Sequence, residues 1–166
     1  MFGNGARDGS KMGKSQNIGL MGVIHFKHMR DGKVLLDKEF KNMIVDAGLN
    51  QVAKLLLLDQ AETAYDYIAI GTDGTAAAEA QTTLIAEVLR QAGTGTVVES
   101  VPASGLFDTA QLQTTFTFAG SYALLEVGMF NDATVGVMLC RQIYSVLNVI
   151  SGDTLQITWK ITASKV

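Results

Sequence analysis

The side chains able to do chemistry are few and scattered. His25 and His28 are the only histidines. They lie in a stretch that reads as a strand, where an odd separation sends side chains to opposite faces, so the two cannot share a metal ion. Cys140 is the single cysteine and has no histidine near it in sequence. It reads as a small apolar core residue rather than a nucleophile, and it excludes a disulfide-stapled secreted module. The Gly-rich GTDGT at residues 71–75 follows an apolar strand, as phosphate loops do. It lacks the Lys-Ser/Thr pair of a P-loop and the GxGxxG fingerprint, so it reads as a turn. Asp73 and Asp132 could each face a cation from a loop, but the acids are too dispersed to form a ligand series. Two charge pairs stand out: Glu87 with Arg90 in LIAEVLR, and Glu126 with Arg141 in otherwise apolar segments. Acid–base work by such groups is chemically conceivable. Mutual neutralisation in or near the core is the stronger reading for Glu126 and Arg141. No catalytic, cofactor or metal site is expected, and the chain reads as non-enzymatic.

The elements that position these residues are mostly strands. A length of 166 residues suits one domain of roughly 150. Residues 21–44 read as a β-hairpin around Asp31-Gly32, a two-residue turn that favours type I′ geometry. Pairing Arg30 with Lys33 puts Met29 opposite Val34, Lys27 opposite Leu36 and Val23 opposite Phe40. Neither face is then clean, which suggests a ribbon touched on both sides or projecting from the core. Residues 46–58 read as the one strong helix, capped by Asp46, with Leu49, Val52, Ala53, Leu56 and Leu57 on one stripe. A short strand follows at Tyr67 to Ile70. Residues 76–92 read as a loop with an ordered piece at LIAEVLR. The C-terminal half is β: Leu112 to Phe118, Leu124 to Phe130, Val135 to Tyr144, and a last strand in which Leu155, Ile157, Trp159 and Ile161 alternate with polar residues. The expected fold is mainly β, an antiparallel β-sandwich over residues 21–166 with one α-helix, an N-terminal hairpin and an extended N-terminal arm.

Charge divides the chain unevenly. Residues 1–41 hold eight bases against four acids (+4), and residues 42–166 hold five against twelve (−7). The basic end therefore complements the acidic body, either of its own copies or of another acidic protein. Nucleic acid is the weaker reading, because no Lys/Arg-dense stripe with interleaved aromatics is present. Residues 1–20 form a Gly-rich basic arm with no apolar face of its own, so contact with another chain is expected to order it. The candidate partner contacts are Arg7, Lys11 and Lys14 in the arm and Lys27, Arg30 and Lys33 in the hairpin. Charged residues make up only 17% of the chain, against roughly 25% in an average domain. A surface that poor in charge is easier to understand if partners cover much of it. The longest apolar run, around Leu55 to Leu58, falls far short of the ~20 residues of a membrane span. No signal peptide is read near the N-terminus.

The order NMIVDAGLNQVAKLLL, YIAIGTDGT, TTLIAEVLR, LLEVGMFND and MLCRQIYSVLNVISGDTLQITWKIT resembles small virion structural proteins of tailed bacteriophages. Asn42, Ile44, Asp46, Gly48 and Leu49 match the stretch that in that group leads through a helix into a β-sandwich. The likeness spans about residues 42–162, and the VIHFKHMRDGK hairpin precedes the helix as it does in some members. The resemblance implies a capsid decoration or cement protein, or alternatively a tail or neck component forming a ring. The expected partners are then the major capsid protein, or tail and neck proteins, together with further copies of the chain, a trimer being the expected arrangement. The expected location is the virion, assembled in the host cytoplasm. A receptor- or carbohydrate-binding module is the alternative from another class. It calls for exposed aromatics, for which Tyr65, Tyr67 and Phe107 are the candidates.

Overall fold

The computed structural model describes residues 17–57 and 63–165. Two five-stranded antiparallel sheets pack face to face. The first has the order β2-β1-β10-β7-β6 and the second β3-β9-β8-β4-β5. Their strands are β1 (Ile18–Arg30), β2 (Lys33–Lys41), β3 (Met43–Ile44), β4 (Tyr67–Gly71), β5 (Glu87–Ala92), β6 (Thr94–Val98), β7 (Thr109–Thr117), β8 (Tyr122–Phe130), β9 (Met138–Val149) and β10 (Thr154–Lys165), with α1 at Asp46–Leu57. Asn42 joins β2 of one sheet to β3 of the other, and Gly93 likewise joins β5 to β6. At each side of the sandwich the chain therefore crosses directly from an edge strand of one sheet to an edge strand of the other.

Alternation fixes the core. Leu155, Ile157 and Trp159 are fully buried and Ile161 nearly so, and they meet Phe116 and Phe118 between the sheets as the sequence pattern predicts. The Trp159 indole N–H donates to Asn42 Oδ1 at 3.1 Å, so the largest core side chain brings its polar group in satisfied. On β1 the even positions Ile24, Phe26 and His28 point inward.

The hairpin differs from expectation in register. Asp31 and Gly32 both have positive φ (49° and 74°), as a type I′ turn requires. Arg30 pairs with Lys33 and Met29 with Val34, but a bulge then shifts the ladder, so His28 faces Leu36 and Ile24 faces Phe40. The slip moves Leu36 and Phe40 onto the inner face, where both pack against the core. Without it they would lie on the solvent face with Lys27 and Val23. The hairpin is also no projecting ribbon, since β1 pairs along its length with β10 in the middle of the sheet. Its first strand begins at Ile18, so residues 18–20 of the expected arm belong to the sandwich.

Three further expectations need correction. The ordered piece expected at LIAEVLR becomes strand only from Glu87, as β5 running on to Ala92, and Thr94–Val98 forms a strand that the Thr/Gly composition had hidden. Strand β9 runs Met138–Val149 rather than Val135 to Tyr144. The third is the face of the helix. Gly48 and Gln51 are buried, whereas Leu49 is 50% and Leu56 81% exposed. Gly48 lies on the backbone of β9, where a Cβ would come within 2.4 Å of the Leu139 carbonyl oxygen. Only glycine permits that approach, and it turns the leucine stripe outward.

Candidate functional site

The buried charges come first. Glu126 on β8 and Arg141 on β9 are both fully buried. Arg141 donates to Glu126 Oε2 from Nε (3.0 Å) and Nη2 (2.8 Å). Its Nη1 donates to the Thr75 carbonyl (3.0 Å) and to Gln81 Oε1 (2.9 Å). Glu126 also accepts the backbone N–H groups of Ala86 (2.7 Å) and Ile85 (3.1 Å). The pair thus neutralises itself and ties residues 72–86 down onto the second sheet. Every contact serves the chain itself, so the arrangement is a clamp. Burial, with the Glu126 charge adding to it, pushes the nearby Tyr144 hydroxyl well above its ordinary pKa. Arg90 clamps a second loop: it is paired with Glu87 (2.7 Å), lies 3.7 Å from the Phe130 ring centroid, and donates to the carbonyls of Asp132 and Val135.

Cys140 is fully buried, and burial drives its thiol pKa well above the ordinary value, the opposite of an activated nucleophile. His25 and His28 lie on opposite faces. His25 Nε2 is 2.6 Å from Asp37 Oδ1, whereas His28 Nε2 is 2.8 Å from the buried Asp153 Oδ2. No group of three metal-ligating side chains occurs among the described residues.

Of the six basic residues expected to meet a partner, Arg7, Lys11 and Lys14 lie outside the described residues. Lys27 sits on the outer face of the first sheet between Asp37 and Gln156, and Lys33 is exposed at the hairpin tip. Arg30 is committed within the chain. Its Nε and Nη2 donate to Asp153 Oδ1 (2.7 Å) and Oδ2 (2.8 Å), and the Ile150 N–H completes the set at 3.0 Å. The Arg30 bonds, assisted by His28 and Ile150 against the opposing effect of burial, hold the Asp153 carboxyl well below the usual carboxylate range. This network locks the β1–β2 hairpin to the turn between β9 and β10.

Of the three aromatics read as exposed, Phe107 is so and Tyr65 and Tyr67 are half-buried; the other surface features were not read from the sequence. Leu49, Ala53 and Leu56 make an exposed apolar stripe on α1. Between α1 and the first sheet opens an apolar groove of about 510 Å³, lined by Leu20, Val52, Leu55, Val97, Leu112 and Ile161 among others. Val101, Leu106 and Phe107 in the 99–108 loop are each more than 60% exposed. A sequence signal for the helix face did exist: Gly48 lies one residue before the leucine stripe, marking the side of closest approach.

No family model, curated protein or solved structure matches the chain.

Proposed function

We propose that the chain is a non-enzymatic structural protein of a tailed-phage virion that decorates the assembled capsid and stabilises it. The observation that carries this reading is the set of exposed apolar side chains on α1 and on the 99–108 loop, beside buried charges that, among the described residues, pair within the fold. Large exposed apolar side chains gathered on particular elements mark surfaces that another molecule covers. The resemblance of residues 42–162 to small virion proteins supplies the kind of molecule: the major capsid protein, with copies of the chain itself as second partner. Arg7, Lys11, Lys14, Lys27 and Lys33 would meet an acidic capsid surface, and Arg30 would hold the hairpin that presents the last two. A protein that binds only the assembled shell adds its binding free energy to the shell, by linkage.

The test compares heads made with and without the protein. Shells lacking it should assemble but break at lower temperature, and adding back purified protein should restore them. Heads of normal heat stability that lack complete tails would overturn the capsid reading in favour of a tail or neck ring. Phe107, 65% exposed on its loop, supports the receptor- or carbohydrate-binding alternative. That reading expects Phe107→Ala to abolish adsorption to host cells while leaving head stability unchanged.

A further inference from the structure

The two lateral edges of the first sheet are built differently. Edge strand β2 carries Lys33, Asp37, Lys38, Glu39 and Lys41, charges that deter another strand from pairing with it. Edge strand β6 reads Thr-Gly-Thr-Val-Val, with no charge, no proline and its first four residues exposed. It pairs with β7 on one side, and among the described residues no strand or backbone group bonds its other side.

We propose that two copies of the chain pair through β6, antiparallel about a two-fold axis at Thr96, making one continuous sheet across the pair. Self-complementarity is what selects a second copy as the occupant. Gly95 and Val97 lie opposite Leu112 and Ala110 of β7, and so point to the inner face. Val97 is 63% exposed there, while a Cβ at Gly95 would meet nothing within 4 Å. Centring the axis on Thr96 sets each Val97 opposite the other copy's Gly95, large against small. It also sets Thr96 against Thr96 and Thr94 against Val98 on the outer face. The isologous contact satisfies the free N–H and C=O groups of both edges at once. It joins the two apolar grooves, since Gly95, Thr96 and Val97 all line them. The assembly is a dimer, where the sequence alone led to a trimer, and it stands independently of the virion reading.

The test uses the full chain. Sedimentation over a concentration series should give a dimer, and Val97→Lys should give a monomer that still melts cooperatively but whose midpoint, unlike the wild type's, does not rise with concentration, because Val97 is exposed in the protomer. Thr96→Cys should form a covalent dimer on mild oxidation. The paired Cα atoms would lie about 4.5–5.5 Å apart, within the range of about 4.4–6.8 Å that a disulfide spans. Thr94→Cys should not cross-link, since the two copies of that residue are offset by four positions, about 13 Å. The native Cys140 is fully buried and does not interfere. A monomer at every concentration overturns the proposal. So does a dimer in which Thr94→Cys cross-links and Thr96→Cys does not. Loss of the dimer on deleting residues 1–16 also overturns it, by making the arm the occupant of the edge.

Discussion

At the scale of single residues, the charged groups Glu126, Arg141 and Asp153 are buried with their partners, and the cost of removing one follows from that. Arg141→Met would leave Glu126 charged and buried with only two backbone N–H groups, and should cost about 3–5 kcal/mol in urea unfolding. A loss below 1 kcal/mol would mean that water reaches the site. Asp153 gives a dependence on pH whose sign is fixed. Its pKa is depressed in the folded state, so its contribution is complete above the ordinary carboxyl value of 3.8 and is lost as pH falls toward the lower folded value. The wild-type midpoint should therefore fall steeply on acidification below about pH 4, and Asp153→Asn should flatten that limb. Equal slopes for the two proteins would show that other carboxylates govern the acid limb. The Glu126–Arg141 pair was legible in the sequence, because two charges in apolar strands have few ways to be buried. The Arg30–Asp153 bond was not, because 123 residues separate its ends.

At the scale of elements, strands were more legible than the helix. A strand has two faces, and period-two alternation in β10 leaves little choice of which is buried. A helix has a continuous circumference, and its wider apolar sector can face either the core or a partner. Here the close packing of Gly48 against Leu139 decides. Gly48→Ala should lower the thermal midpoint, although alanine gains about 1 kcal/mol in helix propensity, because the added Cβ meets rigid backbone. A raised midpoint would mean that α1 can lift off β9 without loss. The outward stripe makes the opposite prediction. Leu49→Gln with Leu56→Gln should change stability by less than about 0.5 kcal/mol per site while weakening binding to shells. Measuring melting and shell binding on the same variant separates the two effects. The hairpin register escaped the sequence for a related reason. The turn residues fix where pairing starts, but the bulge is set by the sheet beneath, which draws Leu36 and Phe40 inward.

At the scale of the whole molecule, the divided charge is the feature to test. Neutralising Arg7, Lys11 and Lys14 together should weaken the rescue of shells in part, and added salt should mimic that loss, since contacts between exposed charges are screened within about 8–10 Å at ordinary ionic strength. Rescue that is indifferent to both would remove electrostatics from the capsid contact and leave the apolar surfaces to carry it. The sequence by itself determined the class of fold, strands β7, β8 and β10, the inward face of β10, the type I′ turn and the mutual neutralisation of Glu126 and Arg141. Each of these follows from local patterning or from the cost of burying a charge, which hold wherever the segment lies. Only the tertiary structure decided the hairpin bulge, the outward face of α1, the lock between Arg30 and Asp153, and the free edge at β6. Each of those depends on what a distant segment places beside it. The Thr-Gly-Thr-Val-Val of β6 carries too weak a pattern to announce a strand, and nothing local tells an edge from a centre. That distinction arises when β7 takes one side of β6 and no described strand takes the other.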